Sequence, residues 1–172
     1  MTLSTLREMG KSISVDEMLD EPEIDGLATV AATFYDLLAS IRPELGRMSQ
    51  PDRKRIRHDL VVDAAVMMHG YAALIQDFNT SIGVRGVTAA IEEWASKLRT
   101  LSAKHVYSFD RWKGDLFEKR NPLWQKVGVV KPGRDGKPSV LNTGSARGEC
   151  GRVLRQLVAA GHAVSDLLRL TT

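Results

Sequence analysis

The stretch VVKPGRDGKPSVLN, residues 129–142, decides between two kinds of fold. Read as a phosphate-cradling loop, its Gly136-Lys137 pair belongs to an α/β nucleotide-binding architecture; read as a turn, it punctuates something else. A P-loop sets four residues between its first glycine and the Gly-Lys pair, and follows the lysine with Ser or Thr to reach magnesium. Here only Arg134 and Asp135 separate Gly133 from Gly136, and Pro138 follows Lys137. The flanks, residues 127–131 and 139–141, are β-prone, and the run between them is rich in turn formers. The stretch therefore predicts a short β-hairpin whose basic tip projects Lys131, Arg134 and Lys137.

On the C-terminal side, Asn142-Thr143-Gly144-Ser145 supplies capping residues for a final helix. That helix carries Arg147, Arg152 and Arg155 on its surface and Val153, Leu154, Leu157 and Val158 on its inner side. Gly144, Gly148 and Gly151 serve close packing against a neighbour in one reading, and in another the helix start and its arginines hold a phosphate. Beyond Gly161-His162 a short segment through Leu167, Leu168 and Leu170 has helical character.

On the N-terminal side, Pro22 stands where a first helical turn accepts it, ahead of Ile24, Leu27, Ala31, Phe34, Leu38 and Ile41. Those steps of three and four predict an amphipathic helix that Pro43 ends. Ser49 caps a second start, with Asp52 at its positive end and Arg53, Lys54, Arg55 and Arg57 opposing the dipole; this helix is expected to run to about Asp77. After breaks at Gly83 and Gly86, the spacing of Val87, Ile91, Trp94, Leu98 and Leu101 predicts a third helix over residues 88–102. Asn121-Pro122 marks a turn or a further helix start. The fold class expected is mainly α: a helical bundle of about four to six helices with one short β-hairpin before the final long helix, as a single domain over residues 1–172.

Of the 172 residues, 24 are Lys or Arg and 21 are Asp or Glu, a net charge of +3 that hides an uneven layout. Residues 1–43 hold 3 basic and 8 acidic side chains, a balance of −5, whereas residues 95–137 hold 11 and 4, a balance of +7. Within that basic district Tyr107, Phe109, Trp112, Phe117 and Trp124 alternate with Arg111, Lys113, Lys119, Arg120 and Lys126. The mix suits base stacking, and equally aromatics packed beneath a basic surface. No unbroken apolar run approaches the roughly 20 residues of a bilayer span, and residues 1–13 lack a signal core, so no membrane role is expected. The lone Cys150 fits a reducing, cytoplasmic setting.

Catalytic signatures are sparse. His58, His69, His105 and His162 form no metal-ligand spacing. His69, in VMMHGYAAL, reads as a hydrogen-bonded core histidine, His58 beside Asp59 as a surface ion pair, and Cys150 as an inert packed thiol. No catalytic residue, metal or cofactor is assigned. Only a convergence of His69, Asp63 and Cys150 on one polar pocket points to an enzyme.

The order of landmarks resembles a known family. RKRIRHDLVV (residues 53–62), HGYAALIQDF (69–78), EEWASKLRTL (92–101), FDRW and NPLWQ (109–112 and 121–125) and NTGSARGECGRVLRQL (142–157) together resemble the C-terminal helical part of the DndB and DGQHR-domain family of DNA sulfur modification proteins. The similarity runs from about Leu3 to Leu168, and the order of its short motifs carries it. It implies a non-enzymatic, DNA-binding regulatory role in a phosphorothioation system, with other proteins of that system as further partners. The Asp-Gly-Gln-His-Arg motif and the mixed α/β region that holds it are missing here, so the chain corresponds to a C-terminal part of such a protein or to a stand-alone version. No family active-site residue maps onto this chain. The expected contacts to the DNA phosphate backbone therefore rest on charge and placement: Arg53, Lys54, Arg55, Arg57, Lys131, Arg134, Lys137, Arg147, Arg152 and Arg155. The competing expectation is a protein-protein interaction module, or a homo-oligomer, using an apolar helix face.

Overall fold

The computed structural model describes residues 21–46, 49–102, 114–133 and 135–160. Within them lie six α-helices: α1 (Glu21–Ile41), α2 (Gln50–Asp59), α3 (Ala65–Arg85), α4 (Val87–Leu98), α5 (Pro122–Lys126) and α6 (Gly144–Ala160). A hairpin of β1 (Val130–Pro132) and β2 (Pro138–Val140) precedes α6. The mainly helical bundle with one hairpin before the final helix is thus what the chain forms.

The core grows from the stripes that the spacing marks. Ala31, Phe34 and Leu38 of α1 are buried, while Ile24, the first member of that stripe, lies 52% exposed on a turn that extends past the core. Phe34, Phe78 of α3 and Trp94 of α4 form an aromatic trio with ring centroids 5.7–5.9 Å apart, two of its contacts edge-on. By length and mean hydropathy residues 22–41 reach what a membrane span requires, which no inspection of unbroken apolar runs detects. α3 packs along α6, and Gly70 makes this approach possible: a Cβ there would sit 2.6 Å from Leu154 Cδ1 and 2.8 Å from Cys150 Sγ.

The long second helix expected from Ser49 to about Asp77 is two helices. Ser49 does cap α2, its hydroxyl accepting from the Asp52 amide, but the chain turns extended at Leu60. The break is satisfied from elsewhere in the chain. The Val61 amide donates to the Phe117 carbonyl at 2.8 Å, the Lys119 amide donates to Asp59 at 2.9 Å, and Leu60 bridges Glu118 in antiparallel sense. Val61 and Val62 are both fully buried at this break, and a turn closed by the Ala64 amide donating to the Val61 carbonyl at 2.9 Å leads into α3. Gly83 does not interrupt α3; the break falls at Gly86 alone, whose φ of +79° belongs to the left-handed region. The third expected helix, residues 88–102, is α4 followed by a tight turn over Arg99–Ser102.

Asn121 starts α5, its side-chain oxygen accepting from the Leu123 amide at 3.0 Å. The Leu116 carbonyl accepts both Asn121 Nδ2 and Trp124 Nε1, closing residues 114–124 into a compact unit. That unit is bolted to the end of α1 by Arg42, which is 1% exposed, pairs with Asp115 at 3.0 Å and Glu44 at 3.3 Å, and lies over the Phe117 ring. In the hairpin, Val130 opposes Val140, Lys131 opposes Ser139 and Pro132 opposes Pro138. Gly133 is required there, because a Cβ would meet the Lys137 carbonyl oxygen.

Candidate nucleic-acid interface

The ten-residue helix α2 has no buried residue. Only Asp52 and Ile56 are half-buried, which fixes the inward side of the helix. At 100° per residue, Lys54, Arg57 and His58 then point outward with Arg53 at the flank. Arg53 and Arg57 lie one turn apart, as do Lys54 and His58, so three cations and an imidazole share the outward side of the helix.

The four expected cations of α2 are all exposed, but their partners differ. Arg55 leans on Asp52 at 3.5 Å, and Arg57 Nε donates to Asp63 at 2.7 Å. Arg53 and Lys54 make no ion pair among the described residues. His58 Nδ1 contacts Asp59 Oδ1 at 2.7 Å in the surface pair that the sequence suggests. Lys119 joins them from 62 residues away, its ammonium donating to the Arg57 carbonyl, and exposed Arg120 follows. These two were visible in sequence only as members of a basic, aromatic-rich district. What brings them to α2 is the pairing of residues 117–119 with residues 59–61, a long-range contact that no local pattern encodes.

The aromatics of that district divide. Phe117 and Trp124 are fully buried and stacked 6.1 Å apart, so they pack beneath the basic surface. Tyr107, Phe109, Arg111, Trp112 and Lys113 lie outside the described residues, as does Arg134. On the hairpin, Lys131 and Lys137 are exposed. The C-terminal leucines and His162 also lie outside the described residues, with His105.

Arg147, Arg152 and Arg155 gather separately, in a groove between α3 and α6 that also includes His69, Ala73, Gly148, Gly151 and Gln156. Arg155 forks onto Asp77, Arg152 onto Glu149, and Arg147 Nε donates to Asn142 Oδ1 at 2.9 Å. Of the three glycines, Gly151 packs on Ala73, whereas a Cβ at Gly144 or Gly148 would meet nothing within 4 Å. The close-packing role expected of all three therefore belongs to Gly151, and to Gly70, which the sequence did not single out. His69 is half-buried on the groove wall rather than in the core.

The residues that would have argued for catalysis stand apart in environment. Cys150 is buried against Met67, its Sγ 3.4 Å from the thioether sulfur, and burial pushes its thiol up to about 12. Asp63 is taken by Arg57, and His69 faces the arginine groove. No family model, curated protein or solved structure matches this chain.

Proposed function

We propose that the protein is a non-enzymatic DNA-associated regulator that touches the phosphate backbone through the outward face of α2, in keeping with its resemblance to the DndB and DGQHR-domain family. The observation that carries this reading is an exposed helix whose outward side bears Arg53, Lys54 and Arg57, extended by Lys119 and Arg120 from a distant part of the chain. Such a face suits a polyanion: lysine and arginine contacts to phosphates release condensed counterions and set affinity and register rather than sequence preference. The hairpin lysines Lys131 and Lys137 are further contacts of the same kind.

Arg53, Lys54 and Arg120, the cations of this face without an acidic partner among the described residues, together make about three phosphate contacts, so log affinity for duplex DNA should fall against log salt with a slope of roughly −3. Fluorescence anisotropy on a labelled duplex at several salt concentrations measures it. Reversing Arg53 and Lys54 to Glu should weaken binding more than about tenfold and flatten the slope by about two. Because neither residue is buried, the fold should be unaffected. Absence of binding at low salt, or binding indifferent to that double reversal, would remove the DNA reading.

A second reading has its own observation. Val84 and Val87 flank the Gly86 turn at 79% and 56% exposure, beside a recess of ≈ 320 Å³ that includes Leu74, Trp94 and Val158. Exposed apolar side chains beside a recess suit a protein partner or a second copy of the chain. Light scattering of the wild type and of Val84→Asp separates the readings: mass above the monomer, lost in the variant, favours association.

A further inference from the structure

The groove between α3 and α6 carries a different chemistry from the α2 face. It is an open recess of ≈ 350 Å³ whose charged walls are Arg147, Arg152 and Arg155, with His69 on the α3 side; no carboxylate lines it. Gly148, Gly151, Arg152 and Arg155 follow one another at i, i+3, i+4 and i+7, so a single face of α6 supplies two guanidiniums and a bare floor. The side chains are held partly by the lining itself, where Gln156 Oε1 accepts Arg152 Nη1 at 3.0 Å and the Ala73 carbonyl accepts Arg155 Nη2 at 3.2 Å, and partly by acids outside it. Glu149 accepts Arg152 Nε at 3.0 Å and Nη2 at 2.6 Å, and Asp77 accepts Arg155 Nε at 2.7 Å and Nη2 at 2.9 Å. Asn142 fixes Arg147 through its Nε. Among the described residues this leaves both terminal nitrogens of Arg147, and Nη1 of Arg155, without a protein acceptor.

Arginines oriented by neighbouring acids, with donor edges left over and no side chain filling the floor between them, are suited to a compact dianion with several acceptor oxygens. Planar guanidinium forks match phosphate geometry. The helix start itself is less suited than the sequence suggests, because the Thr143 hydroxyl already accepts from the Ala146 amide. We propose that the groove binds a phosphate monoester, presented either by a free nucleoside monophosphate or by the 5′-phosphorylated end of a nucleic acid strand. This site is independent of the α2 reading and stands or falls without it.

Isothermal titration calorimetry of the full chain at low salt tests it, with AMP, adenosine, and a short oligothymidylate carrying or lacking a 5′-phosphate as probes. AMP should bind at least about tenfold more tightly than adenosine, and Arg147→Gln should remove most of that difference. Gly148→Leu places a side chain on the floor without altering any charge, at a position where a Cβ meets nothing, and should abolish AMP binding while the protein stays folded. The Arg53→Glu, Lys54→Glu double variant should leave the AMP titration unchanged. Tighter binding of the 5′-phosphorylated strand than of its hydroxyl counterpart identifies a strand end as the source; equal binding of the two strands, with AMP still bound, identifies the free nucleotide. AMP binding no better than adenosine, or unchanged in both Arg147→Gln and Gly148→Leu, overturns the proposal.

Discussion

Gly70 and Gly83 sit on the same helix and respond to the same substitution in opposite directions. At Gly70 an added methyl would press on Leu154 and on buried Cys150, whereas at Gly83 it would meet nothing within 4 Å. Gly83→Ala should therefore stabilise the protein by about 0.5–1 kcal/mol through helix propensity alone. Gly70→Ala gains the same propensity but overpacks the α3–α6 seam, and should destabilise by about 1–3 kcal/mol. Urea denaturation of both variants checks the sign. A second test concerns alkali. Burial raises Cys150 to about 12 from 9.0, and Tyr35 to about 12 from 10.0. Each group is neutral when protonated, so above about pH 9 the unfolded chain loses protons that the folded chain retains. The stabilisation is complete below about pH 9 and is lost as pH rises toward 12. The urea midpoint should fall over that window, less steeply in Cys150→Ala, and iodoacetamide should label the native thiol at pH 8 only on unfolding.

Helices whose stripes run at steps of three and four were readable from the chain, because α1, α4 and α6 bury one face and their periodicity is the cause of that burial. The start of α2 was readable as well, since Ser49 caps it through a purely local contact. Its end was not. Apolar residues continue at helical spacing through Leu60 to Ile75, and nothing nearby marks the break; the competing backbone partners reside in residues 117–119. Gly83 misled for a related reason, since an isolated glycine weakens a helix without stopping it, while Gly86 stops α3 by adopting a positive φ. Helix α2 should accordingly behave as a semi-detached element. With no buried side chain of its own, its amides should exchange with deuterium well before those of α3, and substitutions on its outer face should leave stability within about 0.5 kcal/mol of wild type.

One buried arginine, paired with two carboxylates, fastens the 114–124 unit to the helical bundle. Arg42, at the end of α1, reaches Asp115 and covers Phe117, so the 114–124 unit is held against the helical core by a charge that water barely touches. Breaking such a pair on one side leaves a stranded carboxylate, and Arg42→Ala should cost about 3–5 kcal/mol in thermal or chemical unfolding. Replacing Arg42 and Asp115 together by Met and Leu should recover only part of that loss, because Glu44 loses its arginine and the Phe117 amide loses the Asp115 Oδ1 that accepts it at 2.8 Å. Of the cations named from sequence, Arg53, Lys54, Arg55 and Arg57 do follow the helix start at Ser49, though on a short exposed helix instead of the long one expected. The separate gathering of Arg147, Arg152 and Arg155 with His69 depends on how α6 crosses α3, which charge counting along the chain does not contain. The brace beneath α2 also sets a timetable. Lys119 lies 62 positions after Arg57, so during synthesis the cationic helix emerges well before the segment that steadies it, and its final seating awaits closure of that loop.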